Sequence, residues 1–211
     1  MKTKRRKFHH LYSLGGFTLI ELLTVIAIIG ILAAILIPTV GAAKNAANKA
    51  KTKVQFNQWA VAMGMFKQEY GYYPSIGANN KVSPPLFFAA LTGKTYSGLA
   101  VASNAAGGNT KLLSFYSAAD SEVTATANGD TADGLLKDAF GNTDIAMFVD
   151  SNGDGVINAT DLPALSLQTV VSINDKTLTP VFTTNPGIRA GVIFYSAGKG
   201  MTATDIVYSW Q

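Results

Sequence analysis

The feature that most constrains this chain is an apolar run from Phe17 to Val40, in which Glu21 is the one ionisable residue. About 20 consecutive apolar residues are enough for a helix to cross the hydrocarbon core of a bilayer. We therefore predict that residues 17–40 form a transmembrane helix.

A short basic leader, residues 1–16, precedes the apolar run. It holds five basic side chains and no acidic one. Because positive flanks stay on the cytoplasmic side, we expect the leader in the cytoplasm and the residues after the helix outside. A secretory signal peptide would carry its small-residue cleavage site after the apolar core. Here the small pair Gly15–Gly16 comes before the run, so cleavage there leaves the helix on the mature chain.

The composition after such a cleavage excludes several functional classes. Of the 17 basic and 13 acidic residues, five basic ones lie in the leader, which leaves twelve against thirteen. This near-neutral balance predicts no nucleic-acid partner, because binding to a phosphate backbone relies on many basic side chains. The chain has no cysteine, and both histidines, His9 and His10, lie in the leader. Without a thiol or a histidine base, the mature chain is predicted not to be an enzyme.

The start of the apolar run carries a recognisable motif. From Gly15 to Leu23 the residues read Gly-Gly-Phe-Thr-Leu-Ile-Glu-Leu-Leu. This motif resembles the processing and methylation motif of type IV pilins and type II secretion pseudopilins. The resemblance implies that a prepilin peptidase cuts after Gly16 and methylates the new amine of Phe17. It also implies that Glu21 is the family's acidic residue.

The physical chemistry of Glu21 points to a role independently of the resemblance. A carboxylate within an apolar membrane segment is costly, so it marks a functional position. Phe17 lies four residues earlier, which is the same face of a helix. We expect Glu21 to neutralise the amine of Phe17, in its own chain or in a neighbour during assembly. The alternative is a carboxylate that snorkels to the membrane surface.

The helix is predicted to continue into water as an amphipathic segment over residues 41–70 and to end at Gly71. Gly30 and Pro38 are expected to interrupt the membrane part, which would unwind between them in a filament. Two apolar stripes follow helical spacing. One should pack on the protein's own domain, and the second is either chance or a contact surface for neighbouring helices. The first consists of Phe56, Trp59, Met63, Phe66 and Tyr70, and the second of Ala43, Ala47, Ala50, Val54, Val61 and Met65.

Residues 71–211 are predicted to form a globular, β-rich head. Strand candidates, rich in β-branched and aromatic residues, are 144–149, 167–173, 188–196 and 205–210. Residues 97–111 and 117–134 are predicted loops, with a short element around residues 112–116 between them. The fold class is α+β, with the long N-terminal helix packed on a small antiparallel sheet in a pilin-like fold.

Short segments of the head resemble the major pseudopilin of type II secretion. They are residues 70–74, 138–142, 195–200 and 204–210. The resemblance implies polymerisation into a pseudopilus. That family also binds calcium through acids near its C-terminus, where this chain has only Asp205.

The strongest chemical motif is the loop at residues 150–161. Its oxygen-bearing side chains have the spacing of an EF-hand calcium loop, with a glycine at the sixth position. Hard oxygen ligands favour Ca²⁺. Because a strand precedes the loop and Pro163 follows it, we expect the loop on a sheet rather than between two helices. The alternative is a turn without a metal. The predicted ligands are Asp150, Asn152, Asp154, the carbonyl of Val156, Asn158 and Asp161.

These patterns predict a structural subunit of the prokaryotic inner membrane. It is expected to polymerise through its N-terminal helix into a type II secretion pseudopilus or a related periplasmic or extracellular filament. The alternative within this class is a surface type IV pilin for adhesion, motility or DNA uptake. Expected partners are other pilin-like subunits, a prepilin peptidase and an inner-membrane assembly platform. Two contrasting hypotheses are a membrane-anchored calcium-dependent hydrolase and a calcium-dependent surface binding module tethered by the helix.

Overall fold

The structure is a computed structural model of the 211-residue chain. It describes residues 16–101, 107–124, 134–161, 168–181 and 186–210. The chain divides into two compact units, residues 1–44 and residues 45–211. Helix α1, Leu19–Tyr70, contributes residues to both.

In its described part, the first unit consists of a short extended segment and the beginning of α1. This helix is long and apolar enough to cross a bilayer, and none of its most apolar stretch is buried within the protein. The apolar run of the sequence therefore forms a helix, as predicted, and the protein itself provides no cover for it.

The predicted interruption at Gly30 and Pro38 is wrong for the single chain, because α1 is continuous across both residues. Pro38 has no N–H to donate to the carbonyl four residues earlier. The hydroxyl of the next residue, Thr39, donates to the carbonyls of Leu36 (2.8 Å) and Ile35 (3.3 Å). Such side-chain hydrogen bonds help a helix to accommodate a proline in an apolar environment. Unwinding in a filament stays a prediction.

The strands of the second unit, among the described residues, are β1 (Gly77–Ala78), β2 (Lys81–Val82), β3 (Val123–Thr124), β4 (Leu135–Leu136), β5 (Ile145–Val149), β6 (Val170–Val171), β7 (Thr177–Leu178), β8 (Val192–Ser196) and β9 (Val207–Tyr208). Five of them form an antiparallel sheet in the order β1-β2-β5-β8-β9. The central strands β5 and β8 pair along their whole length, from Ile145 opposite Ser196 to Val149 opposite Val192. Two further antiparallel pairs, β3 with β4 and β6 with β7, lie outside this sheet.

The first apolar stripe of α1 packs on the protein's own domain, as predicted, and its residues 56, 59 and 63 share a core with the sheet. Phe56, Trp59, Met63 and Phe66 are fully buried, and Tyr70 is half-buried at the helix end. Strand side chains alternate between the two faces of a sheet. Accordingly, one core combines the helix with residues 145, 147 and 194, whereas residues 146, 148, 193 and 195 enter a second core on the other face. The α+β arrangement is therefore confirmed.

Helix α2, Pro84–Thr92, is absent from the sequence prediction. Its residues 87–91 are all buried, so its sequence is apolar on every side and shows no helical periodicity. Its boundaries have local causes. Proline occupies its first turn, where no backbone donor is needed, and Gly93 ends it in a left-handed conformation (φ 69°).

The predicted strands were correctly placed but too long. Candidate 144–149 is β5, 188–196 is shortened to β8, and 205–210 is shortened to β9. Candidate 167–173 is reduced to β6, and residue 167 lies outside the described residues. The chain turns where side chains cap the backbone: the Asp205 carboxylate accepts hydrogen bonds from the N–H groups of Met201 and Thr202, in front of β9.

The short element expected around residues 112–116 is also wrong, because this described stretch has no regular secondary structure. Leu112 has a positive φ of 53°, which neither a strand nor a right-handed helix accepts. Conversely, the loop predicted over 117–134 contains β3 and a 3₁₀ turn, Asp120–Glu122, with residues 125–133 outside the described part.

A buried turn at residues 138–142 ties α1 to the sheet. On the helix side, Thr52 accepts a hydrogen bond from the N–H of Ala139 (3.1 Å), and Gln55 donates to the carbonyl of Lys137 (2.9 Å). On the sheet side, the side chain of Asn142 donates to the carbonyl of Gly198 (2.8 Å). Two of the short segments that resemble a pseudopilin therefore contact each other.

The Asp138 carboxylate is the centre of this turn. It accepts hydrogen bonds from the N–H groups of Phe140 (2.9 Å) and Asn142 (2.8 Å), the amide of Asn142 (2.7 Å) and the hydroxyl of Ser196 (2.6 Å). Burial raises the pKa of Asp138, and these hydrogen bonds only partly offset that effect. Ionisation of Asp138 is therefore harder in the folded chain than in the unfolded one.

This carboxylate makes stability pH-dependent in a defined direction. Since its pKa is raised on folding, its stabilising contribution is full below its ordinary pKa of about 4 and declines as pH rises through the raised value. Asp138→Asn removes this dependence and costs about 1–3 kcal/mol, because an amide N–H₂ then faces the amide of Asn142. Denaturant unfolding of both proteins at several pH values checks this, with exposed Asp175→Asn as the control. An Asp138→Asn protein as stable as the parent would contradict the account.

Candidate functional site

The predicted processing segment lies directly in front of α1. Gly16 and Phe17 are outside the helix, and the Phe17 side chain is 79% exposed. The Glu21 carboxylate accepts hydrogen bonds from the N–H of Thr18 (2.8 Å) and from its hydroxyl (2.6 Å), while the Glu21 N–H approaches that hydroxyl at 3.3 Å. Thr18 and Glu21 thus form a reciprocal capping box, which satisfies backbone donors at the helix start.

This geometry corrects one expectation. Phe17 does not share a helix face with Glu21, because Thr18 caps the start of α1 and Phe17 precedes this cap. The role of Thr18 was missed, although Thr-x-x-Glu in front of an apolar run is a sequence signal for a capping box. Within the described part of the single chain, Thr18 is the hydrogen-bond partner of the Glu21 carboxylate. Its interaction with the amine of Phe17 stays a prediction.

The oxygen-rich loop follows the central strand β5. Asp150 is held at the strand end, where its N–H donates to the carbonyl of Gly191 (2.9 Å). Ile157 and Ile188 exchange two backbone hydrogen bonds, which fix the middle of the loop beside the chain that leads into β8. Gly155 has a positive φ of 81° at the sixth position, where the loop turns sharply. The loop is thus mounted on the sheet, as predicted.

The fold brings three of the predicted ligands together. One carboxylate oxygen each of Asp150, Asp154 and Asp161 lies within 4.8 Å of the others. Oxygens that bind one Ca²⁺ at 2.3–2.6 Å lie no more than about 5 Å apart, so this spacing fits the ion. The ion pairs of the described residues join Lys81 to Asp144 and Lys111 to Glu69, so neither of them neutralises these three carboxylates.

Backbone donors orient the two buried carboxylates. Asp150 accepts from the N–H groups of Gly153 (2.7 Å) and Gly155 (2.9 Å). Asp161 accepts from the hydroxyl (2.8 Å) and N–H (2.9 Å) of Ser151 and from the N–H of Asn158 (3.1 Å). Burial raises the pKa of Asp161, but these hydrogen bonds outweigh burial and hold the pKa below its ordinary value. The group is therefore an anion at neutral pH.

The remaining predicted ligands form hydrogen bonds within the loop, and the amide nitrogens of Asn152 (3.0 Å) and Asn158 (3.5 Å) approach the Asp154 carboxylate. The side-chain oxygen of Asn152 accepts from the N–H of Asp154 (2.9 Å), and that of Asn158 accepts from Thr160 (2.8 Å). The Val156 carbonyl lies 3.5 Å from the amide nitrogen of Asn158. The set contains only hard oxygen donors, which suits Ca²⁺. Asp205, by contrast, caps the turn in front of β9 and lies outside the acidic cluster found among the described residues.

On the second unit, the large side chains of the second apolar stripe form an exposed face. Val54, Val61 and Met65 are 56%, 63% and 47% exposed. A groove of about 500 Å³ lies along this face, between the helix and residues 115–117. A second groove of about 530 Å³ shares Val61 and is lined on its far side by Tyr73, Arg189 and Trp210. Large aromatic and arginine side chains of this kind are enriched at protein interfaces.

Comparison with known proteins gives two matches. Residues 15–37 match the prokaryotic N-terminal methylation motif. The chain is also similar to the type IV wide pilus major component PilA4 of Thermus thermophilus, with 47% identity over 60 residues. The match covers 28% of this chain and 46% of that protein, so the chain spans about half the length of the relative it matches. No solved structure matches the chain.

The matched motif contains Gly16, Phe17 and Glu21, the residues that the structure places at the start of α1. The matched relative is a pilin, and the long apolar helix combined with an antiparallel sheet is the architecture expected of one. The N-terminal motif, the partial similarity to a pilin and the α+β architecture all support a relationship to the type IV pilin-like superfamily.

Proposed function

We propose that this protein is the precursor of a structural subunit that a prepilin peptidase cuts between Gly16 and Phe17. The mature subunit is first held in the inner membrane by α1. An assembly platform in the membrane then drives its polymerisation with other pilin-like subunits through the same helix. One observation carries the proposal: the methylation motif of residues 15–37 coincides with the first part of α1, whose most apolar stretch is not buried by the described chain. Such a helix needs lipid first and other helices afterwards.

The exposed face around Val61 supports the same proposal from the second unit. The stripe of Val54, Val61 and Met65 could have been covered by the protein's own head, and it is not. Apolar side chains that stay exposed beside two grooves favour contact with a neighbouring subunit. Of the two interpretations of this stripe, the contact surface is therefore the better supported.

The filament type has two candidates. The short segments of the head favour a type II secretion pseudopilus, and the contact between residues 138–142 and 195–200 gives two of them a joint structural role. The matched relative is named as a component of a type IV wide pilus, which favours a surface pilus. Fractionation separates the two: a pseudopilus subunit stays in the membrane and periplasm, whereas a surface pilin is released by shearing.

We further propose that residues 150–161 hold one Ca²⁺, which takes the place of disulfides as a staple in the head. Asp150, Asp154 and Asp161 supply the carboxylates, with Asn152, Asn158 and the Val156 carbonyl beside them. Bound Ca²⁺ neutralises three close negative charges and fixes the loop that follows β5, which the Ile157–Ile188 backbone pair joins to the segment before β8. Since only the folded loop assembles these ligands, the ion stabilises the folded state by mass action.

Glu21→Gln tests the proposed role of the N-terminal carboxylate. The variant keeps an oxygen acceptor for the Thr18 cap but removes the charge that neutralises the amine of Phe17. We expect the variant to accumulate in the membrane and its filament yield in the host, measured by immunoblot of sheared and membrane fractions, to fall at least about tenfold. Thr24→Val, in the same helix, should assemble normally. Full assembly of Glu21→Gln would refute a role for the charge.

Val61→Lys tests the exposed face. Because Val61 is 63% exposed, the substitution should change the unfolding free energy by less than about 0.5 kcal/mol. A buried lysine at a subunit contact, however, should abolish or strongly reduce filaments seen by electron microscopy. Val181→Lys, at a residue 72% exposed elsewhere on the second unit, is the matched control. Equal assembly of both variants would show that this face is not an interface.

Calcium removal tests the staple. For the full chain in detergent, saturating Ca²⁺ is expected to raise the unfolding temperature by about 5–10 °C over a chelator, the shift for an ion at about 100 times its Kd. Asp154→Asn should lose most of this shift, because it removes one of the three clustered carboxylates. Since Asp154 is exposed, the replacement leaves the fold intact. Asp175→Asn should keep it. Identical melting with Ca²⁺ and chelator in the parent protein would rule the site out.

A further inference from the structure

A cluster of lysines follows directly on the apolar run. Lys44, Lys49, Lys51 and Lys53 all lie within about thirteen residues of Val40. The sequence between Glu21 and Glu69 contains no acidic residue, so no carboxylate of α1 lies close enough along the helix to offset this charge. The near-neutral mature chain thus carries a locally basic stretch where its membrane segment ends.

The burial and contacts of Lys44, Lys49 and Lys51 leave these three side chains available to an external partner. Lys44, Lys49 and Lys51 are exposed, and Lys53 is half-buried. The ammonium of Lys51 donates to the hydroxyl of Ser121 (3.3 Å), a neutral group. The ion pairs formed by the described residues use Lys81 and Lys111 instead.

We propose that Lys44, Lys49 and Lys51 bind anionic phospholipid headgroups in the leaflet that faces the head. The inference rests on the proposed function in one respect, namely that residues 17–40 span the membrane. Lys44 follows Val40 by four residues, which is about 6 Å along a helix and at headgroup depth, and Lys49 and Lys51 follow Val40 by nine and eleven residues. Their flexible stems extend toward the lipid phosphates.

The strength of this contact decreases along the helix. The potential of an anionic surface falls over a Debye length, which is about 8 Å at physiological ionic strength. The electrostatic attraction to the headgroups should therefore be strongest for Lys44, weaker for Lys49 and Lys51, and weakest for Lys53. Lysines that merely solvate the helix would show no such order.

The contact gives the membrane-held subunit a defined depth before assembly. A mature subunit loses its basic leader, which had fixed the cytoplasmic side. Lysines bound to headgroups on the opposite side keep the helix from sliding through the bilayer. Extraction of the subunit into a filament has to break these contacts.

Site-resolved lysine reactivity tests the proposal. The full chain is placed in nanodiscs of phosphatidylcholine alone or with phosphatidylglycerol, treated with formaldehyde and a borane reductant, and analysed by peptide mass spectrometry. Anionic lipid should slow methylation of Lys44 about fivefold and of Lys49 and Lys51 less, and high salt should restore the rates. Exposed Lys94 and Lys199 serve as internal controls.

Three other outcomes of this experiment would contradict the proposal. Equal Lys44 rates in both discs, or equal slowing of Lys94 and Lys199, would overturn the lipid contact while leaving the membrane span intact. A chain that fails to enter the discs would overturn the span itself and this inference with it.

Matched variants provide a second measurement. The combined variant K44Q/K49Q/K51Q should lose anionic lipid from complexes released from mixed discs and weighed by native mass spectrometry. The variant K44R/K49R/K51R keeps the charge and should retain that lipid. Equal lipid retention by the two variants would also overturn the proposal.

Discussion

The rest of the structure depends on one constraint, which is that the first part of α1 exposes an uninterrupted apolar surface. Each square ångström of such surface left in water costs about 25 cal/mol, so this helix is not stable in solution on its own. In the proposed function, the bilayer covers this surface first and the helices of other pilin-like subunits cover it afterwards. Glu21 and its Thr18 cap place a charged, hydrogen-bonded group at the start of this part of α1, which is otherwise uncharged.

The second part of α1 meets a different requirement. Its aromatic stripe packs into the core that α1 shares with the sheet. There the ring centroid of Trp59 lies 4.8 Å from that of Phe87 and 5.5 Å from that of Phe194. The buried turn around Asp138 adds hydrogen bonds from the same helix to the sheet. The opposite stripe stays exposed. One helix thus packs into the core with one face and leaves the other face exposed.

The sequence was informative wherever a pattern was long. The apolar run, the buried stripe from Phe56 to Tyr70 and the strands β5 and β8 follow from periodicity and composition. Helix α2 could not be found in this way, because a helix buried on all sides has no polar face. Two-residue strands such as β1 and β2 are set by pairing with other strands, and no propensity signal is that short. The acidic loop was predicted residue by residue, whereas the left-handed backbone at Leu112 has no sequence signature.

The most direct test of the central claim is the N-terminal mass of the protein taken from its own host, measured on sheared and membrane fractions. The account predicts a mature species that begins with N-methylated Phe17 in whichever fraction contains the filaments. An assembled protein that still carries residues Met1 to Gly16 would contradict it, because the basic leader would then have to be accommodated within the filament beside every apolar helix.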